Sequence, residues 1–359
     1  DNFLFKAEVP EDIDVLIVDE AQDCSKPQIA ALQKAATKAE EFIFIGDADQ
    51  TIHEYAGSDP EFFYKLANSK EAKANELTEG LRCGQTINKI CKNIIKPVWK
   101  KYGDFAKRTW TPTNVVGKSY WIPNLEQSCQ AKNILLNKIL NTEETFLFTY
   151  RGNPTHKKIN QFLQDNGIDY KLLSGNPYVS RKNFKCFKSW KTFLNDKVSK
   201  QQILDYWPLI GKSVKAHGKS SVDQLKPLIN KDYNIQELIN MNFIKPEAKQ
   251  FQRFSQVVIK KELIEKIPYI NKVLINGMNT DQNPRVKHDT IHKVKGLTFD
   301  NVIIDLSIYR QEPRSFEPVR LAYVAYSRGK VDCWSIGSSS PSRASLAGIQ
   351  NHRRDILEL

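Results

Sequence analysis

Apolar positions in the first hundred residues come in short unbroken runs separated by helical spacing. Val15-Leu16-Ile17-Val18 is a β-branched and leucine run that ends in two acids, and Glu41-Phe42-Ile43-Phe44-Ile45 is a second run that stops at Gly46. Between them Ile29, Leu32 and Ala36 recur at helical intervals, with Ser25 and Pro27 where a helix begins, so the spacing predicts a helix over 25–38. Unbroken apolar strands joined through a helix predict a parallel sheet covered on both faces. Residues 109–124 dissolve into Pro, Gly, Thr and Asn and read as a linker. A second α/β unit follows, with a helix over 131–140, a strand over 145–150 and a helix over 155–164. The α/β character resumes late in the chain, with strands expected over 302–306 and 322–325.

Residues 174–282 differ. Helical periodicity dominates there, and 181–220 holds ten Lys and Arg against Asp196 and Asp205. Phe187, Trp190, Tyr206 and Trp207 lie among those charges. The plainer reading is a small helical domain with a solvated basic face, in preference to a dedicated nucleic-acid surface. An α/β domain split by a helical insert accounts for this order.

Composition narrows the function classes. The chain has 359 residues with 53 Lys and Arg against 41 Asp and Glu, a net charge of +12, and is 40% hydrophobic. That length allows two or three domains, and that apolar content excludes a disordered chain. No run approaches the ~18–20 apolar residues of a membrane span, and the first residues lack the basic-then-apolar layout of a secretion signal. Cys24, Cys83, Cys91, Cys129, Cys186 and Cys333 are scattered without a CxxC pair, as in a reducing compartment. A basic balance of this size suits a polyanionic partner.

The acids after the first run carry the chemistry. Asp19 and Glu20 stand at the carboxyl edge of a parallel sheet, where open α/β folds bind ligands. An Asp there can hold a hydrated Mg²⁺, and an adjacent Glu can deprotonate a water for in-line attack on a phosphate. Gln50, in the loop after the second run, can sense a γ-phosphate through its amide, and His53 and Tyr55 can stack on bases. Singly, each has a bland alternative: a capping acid, a loop amide, a core ring.

Taken together, Leu16-Ile17-Val18-Asp19-Glu20-Ala21-Gln22-Asp23 and Ile45-Gly46-Asp47-Ala48-Asp49-Gln50-Thr51-Ile52-His53 resemble motifs II and III of the UvrD/Rep family of superfamily 1 DNA helicases. Four further segments follow in the family's order. Leu77-Thr78-Glu79-Gly80-Leu81-Arg82-Cys83 resembles motif IV, and Phe148-Thr149-Tyr150-Arg151-Gly152-Asn153 the segment that opens the second motor domain. Thr290-Ile291-His292-Lys293-Val294-Lys295-Gly296-Leu297-Thr298-Phe299-Asp300 resembles motif V, and Arg320-Leu321-Ala322-Tyr323-Val324-Ala325-Tyr326-Ser327-Arg328 motif VI.

The resemblance implies an α/β fold of RecA-like parallel-sheet motor domains, the first incomplete at its N-terminus, with a helical insert in the second. It divides the chain into 1–112, the carboxyl-terminal part of the first motor domain; 113–173 with 285–359, the second; and 174–284, the insert. It implies an ATP-dependent helicase that moves 3′→5′ on single-stranded DNA, in the cytoplasm of a bacterial or phage-infected cell. The cofactors are ATP and Mg²⁺, and the partners are single-stranded and tailed duplex DNA. Asp19 would hold Mg²⁺, Glu20 would be the general base, and Gln50, Arg82 and Arg328 would surround the γ-phosphate. Gly296 would contact the nucleotide, and His53, Tyr55, His292 and Tyr150 would face the strand.

Three departures mark this chain. Ala56 stands where the family usually has Arg, and Thr298 where it usually has the Glu that binds the ribose. The third is the P-loop, G-x-x-x-x-G-K-[ST], expected well before the acidic motif, whereas only eighteen residues precede Asp19. Gly117-Lys118-Ser119, Gly211-Lys212-Ser213 and Gly218-Lys219-Ser220 each lack the leading glycine, and the first runs into a strand-like Tyr120-Trp121-Ile122. The expectation is a helicase portion that needs a separate N-terminal P-loop segment for turnover. The alternatives are a non-hydrolysing single-stranded DNA-binding or scaffold protein derived from a helicase, and a superfamily 1 helicase of opposite polarity.

Overall fold

The computed structural model describes residues 13–70, 72–103, 108–211, 213–216, 222–251, 256, 261–306 and 316–337. In chain order the strands are β1 (Val15–Val18), β2 (Glu41–Phe44), β3 (Ser119–Ile122), β4 (Phe146–Tyr150), β5 (Tyr170–Leu172), β6 (Val198–Ser199), β7 (Asp232–Tyr233), β8 (Val286–Thr290), β9 (Phe299–Asp305) and β10 (Gly329–Ile336). The chain forms two compact units, one of residues 1–135, 144–156 and 289–359 and the other of residues 136–143 and 157–288.

The first unit holds two parallel layers. In the smaller, β1 pairs with β2 in the register Val15↔Glu41 to Val18↔Phe44. The connecting helix α1 (Lys26–Ala35) starts as its sequence dictates. The Ser25 side chain accepts from Gln28 N, the Gln28 side chain caps Ser25 N in return, and Pro27 sits in the first turn. The expected covering of both faces is not met here: Val15 and Ile17 are 45% and 59% exposed. They alternate with half-buried Leu16 and buried Val18, so one face of this strand lies open.

The larger layer runs β3-β10-β9-β4, all parallel. β4 is buried along its whole length, and Val302, Ile303 and Ile304 of β9 are fully enclosed. The 109–124 stretch is not simply a linker. Its Ser119–Ile122 adds to the sheet beside β10, where Tyr120 stacks on Trp334 at 4.9 Å, and Thr111 bridges to Glu79. Residues 322–325 are not a strand either. They belong to the helix Glu317–Tyr326, in which every residue from Pro318 onward is buried. A short, wholly apolar run has no polar face to reveal its period, so helix and strand read alike. This helix packs on α3 (Gln85–Tyr102), which follows α2 (Pro60–Ala67) in the chain and also lies against β10, where Gly84 N donates to Lys330 O at 2.9 Å.

The second unit is mainly helical outside the parallel pair β5–β8 and the short antiparallel pair β6–β7. Phe187, Trp190, Tyr206 and Trp207 are all buried, and Trp190 meets Tyr206 edge-to-face at 5.9 Å. The aromatic residues of the basic stretch are therefore core, while Lys182, Lys185 and Lys191 face solvent. Among the described residues no helix is long and apolar enough to cross a membrane, and all six cysteines are unbridged.

Candidate functional site

Both acidic loops leave the carboxyl ends of β1 and β2 side by side. Glu20 turns the chain with a left-handed backbone (φ 52°), unusual for a residue with a Cβ. Its N–H donates to Asp19 Oδ1 at 2.9 Å. Gln22 is buried between the loops: its Oε1 accepts from Asp47 N at 3.0 Å and its Nε2 donates to Glu20 Oε2 at 2.5 Å. Gly46 makes this approach possible, since a Cβ there would lie 2.2 Å from Gln22 Oε1. Lys295 pairs with Glu20 Oε2 at 3.1 Å and with Asp23 Oδ2. Burial pushes the Glu20 carboxyl up, but the Gln22 hydrogen bond and the charges of Lys295 and Arg328 outweigh it and hold the group below its usual range.

In the second loop Asp47 is the hub. Its Oδ1 accepts from Asp49 N at 3.0 Å and pairs with Arg108 at 3.2 Å, and its Oδ2 accepts from Gln50 Nε2 at 2.8 Å. That bond presents Gln50 Oε1 to Arg328 Nη2, 3.1 Å away. Arg328 is buried and further tied to Val324 O and Ser327 Oγ, and Arg82 Nη1 reaches Ser327 O at 3.3 Å. Burial, then the nearby Arg82 charge, pulls the Arg328 guanidinium down to about 10. Neither arginine has a carboxylate partner among the described residues, and two confined guanidinium groups in that state suit an incoming oxyanion. Beneath them Asp49 is fully buried, accepting from Tyr64 OH at 2.7 Å and Trp99 Nε1 at 2.9 Å. Burial and the Asp47 charge raise it to about 6.

Three further predicted residues form a second cluster. His53, Tyr55 and His292 stand with ring centroids 5.6–5.9 Å apart, and Tyr55 is 74% exposed. Burial, then the neighbouring His53, lowers the His292 imidazole below its ordinary value. Tyr150 is instead buried at the end of β4 with its hydroxyl 2.9 Å from His156 Nδ1, so from there its ring presents no face for stacking. Gly296 has φ +81° and nothing within 4 Å of where a Cβ would stand, so it serves the turn and leaves space beside it.

No helix opens after Gly117-Lys118-Ser119. Lys118 N donates to Asp332 Oδ1 at 2.7 Å, and Ser119 starts β3. Lys212 and residues 218–220 of the other two tripeptides lie outside the described residues. Among the described residues no group of three or more His, Cys, Asp or Glu is arranged to hold a metal ion. Mg²⁺ does not demand one, because it uses one or two carboxylates with phosphate oxygens and waters, and the Asp19 carboxylate fits that donor set. Sequence reasoning does not single out Gln22, Lys295 or Arg108. The first two lie inside the motifs, and their partners only become apparent once the loops are folded together.

The sequence also matches known proteins. The UvrD/REP helicase N-terminal domain model matches residues 3–71. The chain is 23% identical over 234 residues to an ATP-dependent DNA helicase PcrA of Staphylococcus aureus, covering 62% of this chain and 30% of that protein. Against the ATP-dependent DNA helicase PcrA of Staphylococcus epidermidis the identity is 23% over 276 residues, 72% of this chain and 36% of that protein. The chain thus spans about a third of the length of these relatives. With six collinear motif-like segments and a parallel-sheet architecture, the chain is similar to the UvrD/Rep helicases, whose N-terminal domain model its residues 3–71 match.

Proposed function

We propose that this chain is the catalytic portion of an ATP-driven translocase that moves 3′→5′ on single-stranded DNA. The observation that carries the reading is the convergence of Arg82 and Arg328 on Ser327 and Gln50, opposite the Asp19-Glu20 loop. In this reading Asp19 and the phosphates hold Mg²⁺, Glu20 takes the proton of the attacking water, and Gln50 reports the γ-phosphate. Arginines at such positions contribute roughly 10³–10⁵ in rate by offsetting charge in phosphoryl transfer. His53, Tyr55 and His292 receive bases of the strand, each stacked base contributing about 1–3 kcal/mol. Residues 1–112 belong to one motor domain, 113–173 with 285–359 to the other, and 174–284 form the accessory insert.

The polyphosphate cradle is assigned to a separate P-loop segment. The test is ATP hydrolysis by the chain with and without single-stranded DNA and with a P-loop fragment of a relative added, using Glu20→Gln as the blank. DNA-stimulated turnover that needs the fragment and vanishes in the blank is expected. Salt-dependent strand binding that ignores both nucleotide and fragment would instead favour a non-hydrolysing DNA-binding protein.

A further inference from the structure

Gln22 is the buried side chain of the acidic motif for which the phosphate reading provides no task. It stands in a chain of four hydrogen bonds that all run one way. Arg328 Nη2 donates to Gln50 Oε1 at 3.1 Å, and Gln50 Nε2 donates to Asp47 Oδ2 at 2.8 Å. Asp47 N then donates to Gln22 Oε1 at 3.0 Å, and Gln22 Nε2 to Glu20 Oε2 at 2.5 Å. Every donor faces the Glu20 end, and bonds ordered in this way polarise one another. A glutamine suits the place because one end of its amide accepts while the other donates. A glutamate there would set a second carboxylate against Glu20. Gly46 leaves the room, since a Cβ on it would lie 2.2 Å from Gln22 Oε1 and push the amide off its bridge.

The contacts of Glu20 are lopsided. Lys295 also meets Oε2, at 3.1 Å, and among the described residues no hydrogen bond reaches Oε1. Two donors on one oxygen fix the carboxylate and leave the other oxygen open to water. The backbone of Glu20 is left-handed, at φ 52°, a conformation that persists only where neighbouring groups hold it. We propose that Gln22 is the positioning residue of the general base: its amide fixes Glu20 Oε2 and leaves Oε1 for the attacking water, in register with the Gln50 loop. The inference rests on reading Glu20 as that base.

The test is a carbon-13 titration of the Glu20 carboxyl in the full chain without nucleotide, its signal being the one lost in Glu20→Gln. Burial pushes this carboxyl up, and the Gln22 bond leads the contacts that hold it below its usual range. Gln22→Met removes that donor, so the Glu20 midpoint should move to higher pH. Turnover of Gln22→Met with the P-loop fragment should show kcat about 10²-fold lower, KM for ATP unchanged and an acid limb at higher pH. A folded Gln22→Met whose Glu20 midpoint stays at the wild-type position overturns the proposal, because Lys295 would then hold the carboxylate without it. If Gln22→Met does not fold, Gly46→Ala decides, since it keeps Gln22 but displaces its amide. An upward shift there supports the proposal, and an unmoved midpoint overturns it. The titration uses neither nucleotide nor fragment, so a wild type without turnover would fail the motor reading and leave the hold of Gln22 on Glu20 separately decided.

Discussion

The β1–β2 layer and the β3-β10-β9-β4 layer look alike as sequence, each a set of unbroken apolar runs, yet they differ sharply in support. β4 and most of β9 and β10 are enclosed, whereas Val15 and Ile17 of β1 present an open face. The chemistry divides along the same line. Asp19, Glu20 and Gln50 hang from the small layer, while Arg328 stands between the end of a buried helix packed on α3 and the start of β10. The difference teaches that an apolar run predicts a strand but not what covers it. It also gives the site one firmly held arginine, Arg328, and one half held chiefly by loop hydrogen bonds through Gln22 and Asp47.

The contrast is broken most forcefully by truncating its two sides in turn. Phe148→Ala, in the enclosed strand β4, should cost about 3–5 kcal/mol in chemical denaturation. Ile17→Ala, on the open face of β1, should cost well under about 1 kcal/mol. Equal losses would mean that the open face is covered in solution. Next in size is Gly46→Ala, whose methyl would collide with Gln22 Oε1; about 1–3 kcal/mol should be lost. Hydrogen exchange should then quicken in both acidic loops and not in β9.

The pH dependence sharpens the same division. Asp49 is raised to about 6 in the folded chain by burial and by Asp47, so the folded state holds its proton longer than the unfolded state. Stability therefore falls as pH rises from about 4 to 6, and this slope should disappear in Asp49→Asn. A slope retained by that variant would place the titrating group elsewhere. The smallest effect on the fold belongs to Tyr55→Ala. Its ring is mostly exposed, so the melting curve should not move, while single-strand affinity weakens by about 1–3 kcal/mol.

Much of the small layer is legible from the residues alone. The runs at 15–18 and 41–45 form β1 and β2, and Ser25 with Gln28 and Pro27 starts α1 where the spacing places it. Local signals suffice there because caps and short strands are written within a few residues. The helix Glu317–Tyr326 reads as a strand at 322–325 because it is buried on every side, and the period of the pattern is lost when no face is wet. Residues 109–124 pass for linker although Tyr120-Trp121-Ile122 is strand-like, because an edge strand takes its place from β10, more than two hundred residues later. The candidate site behaves the same way. Asp19, Glu20, Gln50, Arg82 and Arg328 can be named from their motifs. The bond from Lys295 to Glu20 and Asp23 joins positions about 270 residues apart and leaves no local trace. Tyr150 is drawn toward the strand by its motif, yet β4 buries it.

The central claim is that Arg328, from the well-supported half, and Arg82 act on a phosphate held at the acids of the other half. The direct measurement is single-strand-stimulated ATP turnover of the chain, in the presence of the P-loop fragment proposed above, for Arg82→Ala and Arg328→Ala beside the wild type. A fall of roughly 10³-fold or more in each variant, with nucleotide-free strand affinity unchanged, is the predicted result. Turnover in either variant that stays near wild type would contradict the account, because neither guanidinium has a carboxylate partner among the described residues.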